Sequence, residues 1–236
     1  MKTAYLDPFL FVVYPYLALS IFFLMTIYRY RVREFTYSSL SSQLLENQHH
    51  FYVMVPFHYG ILAVILGHVI AFALPKQLLL WNAVPARLYA LEISTFICAI
   101  LALFGLANLI VRRMAFPALQ KVTILEDWVL FGLLLYQIVT GISIAMLLPW
   151  GSSWFAAYLT PYLWSLAMLR PDPAFVSPMP ALVKAHILGA FTIIAYFPFS
   201  RMVHVLVVPN PYFWRRTQVV RWYGQAVNPA RGGTLP

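Results

Sequence analysis

Hydrophobic residues along this chain form five long runs that contain almost no charged side chains. Each run is close to the roughly 20 residues that an α-helix needs to cross about 30 Å of hydrocarbon. The runs do not alternate between apolar and polar residues as barrel strands do, and a backbone inside lipid must satisfy its own hydrogen bonds. The pattern therefore predicts an all-α bundle of five transmembrane helices, at about residues 8–28, 51–74, 88–111, 126–148 and 182–208.

The composition excludes a soluble globular protein. Of 236 residues, 62% are hydrophobic and only 10% are charged, whereas a soluble domain carries about 25% charged residues. The sequence contains no internal repeat and no low-complexity tract, which indicates a single membrane domain over residues 1–236, with a polar, basic tail at 209–236. We expect a multi-pass protein of the cell membrane that is surrounded by lipid.

The basic residues predict how the bundle is oriented. The segments 29–49, 112–123 and 201–236 lie on one side of the predicted helices and hold eleven of the sixteen Lys and Arg residues. An excess of Lys and Arg marks the cytoplasmic side of a membrane protein. The N-terminus is therefore expected outside, in the periplasm, and the C-terminus in the cytoplasm. The net charge of +9 is then an orientation signal, and we expect no binding of nucleic acid.

Two connections between the helices carry local signals. Thr123 and Glu126, followed by Asp127, precede the fourth hydrophobic run in the spacing of a capping box, which predicts the start of that helix. The connection from Pro149 to Pro180 is rich in proline and aromatic residues. This composition favours an external loop with a segment that lies on the membrane surface.

Histidine is the residue type that carries candidate chemistry. His49 and His50 come just before the second run, where we expect them to face solvent or the interface. Four more histidines lie within the second and fifth predicted helices: His58, His68, His186 and His204. Ionisable side chains at membrane depth are costly, so four on two helices need polar partners or a metal. Two neutral imidazoles on one haem iron leave no open coordination site, which suits electron transfer.

Cys98 is the only cysteine in the sequence. A single cysteine excludes an internal disulfide, and it excludes the CxxCH motif that attaches haem covalently. Any haem bound here is therefore expected to be a non-covalent haem b.

Depth along the helices pairs the four histidines. His68 lies about 15 Å further out than His58 along a straight helix, and their side chains are about 80° apart around it. The fifth helix runs in the opposite direction, so His186 is its outer histidine. His204 is its inner histidine, on the same face about five turns later. We expect one outer haem iron held by His68 and His186, and one inner haem iron held by His58 and His204.

The spacing on the two helices is unequal, since eighteen residues of straight helix span about 27 Å against about 15 Å for ten. Pro56 and Pro198 lie near the ligands, and prolines kink helices, so bending is expected to absorb part of this difference. Gly60, Gly67 and Gly189 also lie near the ligands and are expected to let a broad macrocycle approach the backbone. For each histidine taken singly, a hydrogen bond across helices remains the alternative.

Several motifs resemble one membrane protein family. The second helix carries FHYGIL at 57–62 and GH at 67–68, and the fifth carries KAH at 184–186. The most specific block is FPFSRMVH at 197–204. In this order, and over about residues 8–222, the chain resembles the gamma subunit of respiratory nitrate reductase, a membrane cytochrome b.

The resemblance implies that this chain carries two haems b on the same histidine pairs and oxidises a quinol, either ubiquinol or menaquinol, near the outer haem. Electrons would pass through the inner haem to an iron-sulfur beta subunit. A molybdenum-containing alpha subunit would then reduce nitrate. Release of the quinol protons outside, with electrons moving inward, would build a proton gradient.

The quinol site is expected at the outer end of the bundle. A lysine that members of the family place in the outer loop has no clear match here; Arg87 is the nearest basic substitute and Lys76 the second. Glu92 lies one turn inside the third helix, where it could take a proton from quinol or pair with Arg87 at headgroup level. Gly67, next to His68, leaves room for a flat ring.

Arg201 lies one turn before the last histidine of the block. Its guanidinium could bind a haem propionate through two parallel hydrogen bonds. Alternatively, it could act only as a positive charge that anchors the cytoplasmic end.

Two other functions stay open from the sequence. A related cytochrome b of another molybdenum or sulfur-metabolising complex would exchange electrons with quinone, or with a periplasmic cytochrome c at the outer haem. A transporter without redox chemistry would use the histidines as proton relays, and it would give no haem bands in a reduced-minus-oxidised spectrum.

Overall fold

Among the residues that the structure describes, five helices are long and apolar enough to cross a membrane. The computed structural model describes the backbone of residues 6–32 and 50–203 and the side chains of residues 6–32 and 54–202. Within that part of the chain the helices are α1 (Leu6–Val32, with a π-helical turn at Phe9–Val13), α2 (His50–Ala73), α3 (Pro85–Ala115), α4 (Leu125–Leu147) and α5 (Ala181–Tyr196). The predicted all-α architecture with five spanning helices is confirmed.

Successive spanning helices run in opposite directions. We call the end of the bundle that contains the starts of α1, α3 and α5 the outer end, after the predicted orientation, and the opposite end the inner end. The predicted tail at 209–236 and His204 lie outside the described residues, as does His49.

Prolines set several helix boundaries. Short helices at Pro75–Asn82 and Pro117–Gln120 begin with proline, as does α3 at Pro85. The first position of a helix tolerates proline because its N–H would have no partner there anyway. Phe116, which precedes Pro117, is extended at φ −101° and ψ 113° and thereby ends α3.

The start of α4 differs from the predicted capping box. The helix begins at Leu125, and Asp127, not Glu126, accepts the backbone N–H of Ile124 at 3.2 Å. The Thr123 hydroxyl instead donates to the Leu119 carbonyl at 2.6 Å. The helix starts one residue later than the predicted box requires. The N–H to be satisfied is therefore that of Ile124, and the acid three residues after it is Asp127.

The end of α5 corrects the predicted helix at 182–208. The α-helix stops at Tyr196, a 3₁₀ turn follows at Phe197–Phe199, and Ser200 is extended before a second 3₁₀ turn at Arg201–Val203. Pro198 has no N–H to donate and its ring clashes with the carbonyl four residues earlier, which favours a break here, although α2 continues past Pro56. The α-helical part of α5 is therefore shorter than predicted, and the expected position of His204 on the same helix face as His186 lies outside the described residues.

The helices pack in the order α2, α3, α4, α5 and α1, each against the next. The α2–α3 contact is the closest, because a Cβ added at Gly60 would lie 2.5 Å from the Cys98 carbonyl oxygen. From the opposite side, a Cβ at Gly105 would meet the backbone of Phe57. Small residues at helix contacts let membrane helices approach closely and gain van der Waals energy.

The connection from α4 to α5 forms a folded cap on the outer end. This outer cap contains short helices at Gly151–Trp154 and Thr160–Ala167, joined by a π-helical turn at Phe155–Leu159. Tyr162 and Val176 are fully buried, so the segment packs onto the bundle. Its position at the membrane surface stays a prediction, and its exposed aromatic residues Trp150, Tyr158 and Trp164 agree with it.

Hydrogen bonds attach the outer cap to two spanning helices. Tyr162 donates its hydroxyl to the Phe11 carbonyl at 2.8 Å in α1, and burial raises the pKa of this phenol, with Tyr16 adding to the shift. Thr160 donates to the Ala71 carbonyl at 3.2 Å, at the end of α2. These bonds satisfy polar groups that would otherwise be buried without a partner.

Candidate functional site

His58 and His68, the two histidines of α2 whose side chains the structure describes, have the same side-chain arrangement. His58 Nδ1 lies 2.8 Å from the Met54 carbonyl oxygen, and His68 Nδ1 lies 2.8 Å from the Val64 carbonyl oxygen. A carbonyl can only accept, so Nδ1 carries the proton in both rings and Nε2 carries a lone pair. Both side chains are exposed on the helix surface, which leaves Nε2 accessible.

This arrangement fits ligation of a haem iron. A ligating histidine usually donates its second ring N–H to a carbonyl or carboxylate, which fixes the tautomer and the ring orientation. Here the helix itself supplies that acceptor, one turn before each histidine. The donor set of α2 is therefore suited to two haem irons.

The outer histidine of α5 is held by α4. His186 Nδ1 lies 2.9 Å from the Thr140 hydroxyl oxygen, and His186 Nε2 lies 3.1 Å from the amide nitrogen of Gln137. Tyr136 donates its hydroxyl to the Ala185 carbonyl at 3.1 Å, which fixes the helix next to the ring. Of the two predicted pairs, the structure describes both members of the outer one, His68 and His186.

The glycines near the ligands pack against neighbouring helices. Gly60 faces the α3 backbone, and a Cβ at Gly189 would lie 2.5 Å from Gln137 Oε1 in α4. At Gly67 the nearest atom to an added Cβ is Thr95 Cγ2 in α3, at 3.6 Å, an ordinary contact. The expectation that Gly60 and Gly189 admit a macrocycle is corrected, because helix packing already occupies those positions.

A polar cluster lies at the outer end, between α3 and the outer cap. Glu92 Oε1 accepts from the Ser152 backbone N–H at 3.2 Å and from its hydroxyl at 3.0 Å. The Asn82 amide donates to the hydroxyls of Ser152 and Ser153, both at 3.0 Å. The carboxylate of Glu92 therefore anchors the first turn of the outer cap.

The two basic candidates of the outer end do not pair with Glu92 in the described part of the chain. The Arg87 guanidinium lies over the Trp81 ring, 5.2 Å from its centroid, and the predicted Arg87–Glu92 ion pair is absent there. Lys76 is exposed in the short helix Pro75–Asn82. The unpaired N–H groups at the start of a helix favour an anion, and the Glu92 carboxylate accepts the Ser152 N–H there. The Arg87 guanidinium instead interacts with the Trp81 ring.

The outer cap also contacts an iron-ligand candidate. Phe155 lies edge-on to the His68 ring, with 5.3 Å between ring centroids. Because Phe155 comes three residues after Ser152, the anchor at Glu92 and the packing on His68 belong to one short segment. The polar cluster is thus coupled mechanically to the outer histidine.

Charged side chains of the inner end meet at the start of α4. Arg201 Nε lies 3.4 Å from Asp127 Oδ1, and its guanidinium donates to the Val122 carbonyl at 3.1 Å. Arg113 donates to the Thr123 hydroxyl at 2.9 Å. Arg201 therefore ties the segment after α5 to α4, a role that the sequence did not indicate.

Sequence reasoning missed Gln137, Thr140 and Ser152. Polar side chains within a hydrophobic run are the only signal that could have pointed to the first two, since such groups need partners in lipid. No sequence signal pairs Ser152 with a residue sixty positions earlier.

These features define a multi-pass helical membrane protein whose second and fifth spanning helices carry imidazoles at membrane depth. Comparison with known proteins narrows the class. The profile of the family described as nitrate reductase gamma subunit matches residues 7–223, and the chain belongs to this family. It is therefore a membrane subunit of an oxidoreductase complex, as the motifs predicted.

Individual relatives cover most of the chain. The respiratory nitrate reductase 2 gamma chain of Escherichia coli is 30% identical over 222 residues, which cover 92% of this chain and 97% of the relative. The nitrate reductase gamma chain of Bacillus subtilis is 30% identical over 88% of this chain and 94% of its own length. A more distant relative from Methanosarcina barkeri belongs to the dihydromethanophenazine:CoB–CoM heterodisulfide reductase. It is 27% identical over 50% of this chain and 39% of its own length.

Proposed function

We propose that this chain is the di-haem cytochrome b of a respiratory nitrate reductase. It oxidises quinol near the outer, periplasmic end and passes electrons to an iron-sulfur subunit on the cytoplasmic side. The observation that carries the proposal is the arrangement of the α2 histidines. His58 and His68 keep Nδ1–H on their own helix and leave Nε2 for iron, at two depths about 15 Å apart.

The opposing ligands come from α5 and the segment that follows it. We assign His186 and His68 to the outer haem, because both are expected at the outer depth. We assign His204 and His58 to the inner haem for the corresponding reason. When bound, two haems b would supply one-electron carriers, the chemistry that divides the two electrons of a quinol into single transfers.

Nitrate reduction belongs to partner subunits. The sequence has a single cysteine, Cys98, whereas an iron-sulfur cluster needs several cysteine thiolates. The iron-sulfur centres are therefore assigned to a beta subunit and the molybdenum centre to an alpha subunit. Both would dock at the inner end, where Arg201 and Arg113 already order the start of α4.

A second candidate keeps the cytochrome and changes the partner. The similarity to a heterodisulfide reductase component over half of the chain favours a cytochrome b of a sulfur-metabolising complex as the alternative. In that case electrons would be exchanged with quinone or with a periplasmic cytochrome c, and nitrate would not reoxidise the haems.

A reduced-minus-oxidised optical spectrum of the purified complex tests the proposal. We expect b-type bands that appear with quinol and disappear with nitrate. Bands that quinol reduces but nitrate does not reoxidise would support the second candidate. A spectrum without haem bands would reject both and leave the histidines as proton relays of a transporter.

A further inference from the structure

The imidazole of His186 is bound differently from those of α2. His58 and His68 use carbonyls of their own helix, whereas His186 uses a side chain from the neighbouring helix α4. The Thr140 side chain that contacts Nδ1 is buried, with 8% of its surface exposed. Its position depends on how α4 and α5 pack.

The hydrogen atoms of this contact can be assigned from the neighbouring groups. The Thr140 hydroxyl donates to the Tyr136 carbonyl at 2.8 Å, with the Gln137 carbonyl at 3.1 Å as a second acceptor. Because a hydroxyl has one hydrogen, its oxygen is left to accept from His186 Nδ1–H. The Gln137 amide then donates to a lone pair on Nε2 at 3.1 Å. Both contacts specify the tautomer with its proton on Nδ1, and an iron bound at Nε2 would take the place of the Gln137 N–H.

The surrounding residues keep the ring in this place. A Cβ added at Gly141 would lie 3.1 Å from His186 Cε1, so the ring lies directly on the surface of α4. Gln137 Oε1 is buried without a hydrogen-bond partner in the described part of the chain.

We propose that Thr140 is a positioning residue for the outer haem: its hydroxyl accepts the Nδ1–H of His186, fixes the iron-binding tautomer and sets the electron donation of the ligand. This inference rests on the proposed function, because it requires haem at His186. A hydrogen-bond acceptor on Nδ1–H makes the imidazole a stronger donor and stabilises the ferric state. Removing the acceptor should therefore raise the reduction potential of the outer haem alone.

Redox titration of Thr140 variants in the complete complex tests this inference. In Thr140→Val we expect the ferric-to-ferrous ratio of the outer haem at fixed potential to fall about three- to tenfold, where tenfold corresponds to about 59 mV for one electron. The low-spin electron paramagnetic resonance signal of the same haem should shift. Thr140→Ser should restore both. Ser143→Ala, which removes another α4 hydroxyl that donates to Val139, should change neither.

Three outcomes would overturn the inference. They are an unchanged outer haem in Thr140→Val, equal shifts of both haems, and failure of Thr140→Ser to restore the wild-type signal. If Thr140→Val does not accumulate, the inference can be tested on the full-length wild-type chain, labelled with ¹⁵N-histidine and prepared without haem. Nuclear magnetic resonance then shows which ring nitrogen of His186 carries the proton, and His186→Gln identifies the signal of that residue. A His186 ring protonated at Nε2 would refute the assignment. Failure of the proposed function is distinguishable in the wild-type protein, which would then lack haem bands or show bands that nitrate does not reoxidise.

Discussion

The described histidine side chains at membrane depth have local hydrogen-bond partners before any cofactor is considered. Each described imidazole has Nδ1 on an acceptor, supplied by the helix one turn earlier for His58 and His68 and by Thr140 for His186. A histidine that needed only a hydrogen bond would already be satisfied through Nδ1. The accessible Nε2 atoms of α2 therefore favour a ligand.

Replacing single histidines should remove the haems in two groups. We expect His68→Ala and His186→Ala to lose the outer haem, and His58→Ala and His204→Ala to lose the inner one, because only residues at equal depth can share an iron. Haem content and separate redox titrations of the remaining bands measure this. Loss of the same haem from His58 and His186 variants would contradict the topology itself.

Arg201 forms an ion pair with Asp127, and the effect of this pair on stability must be measured separately from any contact of Arg201 with haem. Breaking a buried ion pair costs about 3–5 kcal/mol, and exposure of the Arg201 side chain, at 24%, lowers the expectation to about 2 kcal/mol. Arg201→Gln and Asp127→Asn should both lower the unfolding temperature of the complex, whereas Arg201→Lys should lower it less. Thermal unfolding followed by tryptophan fluorescence measures this.

If Arg201 binds a haem propionate, its replacement should also affect the inner haem. If the guanidinium binds a propionate, Arg201→Gln and Arg201→Lys should shift the inner haem potential, and Asp127→Asn should leave it in place because the arginine remains. An inner haem with unchanged content and potential in both Arg201 variants would show that the ion pair is its whole function.

The histidines themselves could be found from the sequence because charge and polarity are rare inside hydrophobic runs. Thr140 and Gln137 could not, since a threonine in a membrane helix usually bonds to its own helix, as Thr192 does to the Leu188 carbonyl. Only the packing of α4 against α5 brings Thr140 to His186. The Arg87–Glu92 pair was predicted because the two residues are close along α3. Glu92 instead accepts hydrogen bonds from Ser152, which lies sixty residues later in the sequence.

Close packing of α2 on α3 should be sensitive to one methyl group. A Cβ at Gly60 would lie 2.5 Å from the Cys98 carbonyl and 2.6 Å from the Ala102 nitrogen, both of which are backbone atoms that cannot rotate away. Overpacking a tight contact costs about 1–3 kcal/mol. We expect Gly60→Ala to lower the unfolding temperature and the haem content, because α2 carries two of the ligands.

A matched control exists on α4. An added Cβ at Gly132 meets nothing within 4 Å, and alanine is a better helix former than glycine by about 1 kcal/mol. Gly132→Ala should be neutral or stabilising in the same assay. Equal behaviour of the two variants would mean that the α2–α3 contact does not limit stability.

The outer cap offers a test of Glu92. Its carboxylate accepts two hydrogen bonds from Ser152, and losing hydrogen bonds to a charged group costs about 1.5–3 kcal/mol. Gln can accept the same bonds but cannot take a quinol proton. If anchoring is the function, Glu92→Gln should keep quinol oxidation within about twofold while Glu92→Ala loosens the cap and perturbs the haem at His68. A large loss of turnover in Glu92→Gln, with an unperturbed haem spectrum, would instead assign proton transfer.

Spanning helices could be predicted from hydrophobic runs because a bilayer imposes one length on each of them. The ends of the helices depend on shorter-range chemistry. Pro198 stops α5 at Tyr196, although hydrophobic residues continue beyond it. The outer cap was predicted as a surface segment because tryptophans and prolines are typical of interfaces. Its packing against α1 through the buried Tyr162 could not be predicted, because no periodic pattern marks that residue.

The molecule as a whole is polarised along the membrane normal. Its outer end combines His68, His186 and the polar cluster at Glu92 with the outer cap, whereas the inner end gathers Arg113 and Arg201 around Asp127. Under the proposed function, a quinol would have to lose two protons with its two electrons. The polar outer end would then offer those protons a short route to water, and the charged inner end would offer a surface to a partner subunit.

Quinol oxidation is accordingly expected at the outer haem. Quinol analogues should shift the spectrum or potential of the haem that is lost in His68 and His186 variants, and they should leave the other haem unchanged. In sealed right-side-out vesicles, turnover with quinol and nitrate should acidify the external medium by about two protons per quinol, because electrons leave inward and protons do not follow. Uncoupler should abolish any lasting gradient and leave turnover intact. The expectation would be contradicted if protons appeared inside the vesicles, or if inhibitors perturbed only the haem held by His58 and His204. Quinol would then be oxidised in the inner half and would not contribute to the proton gradient.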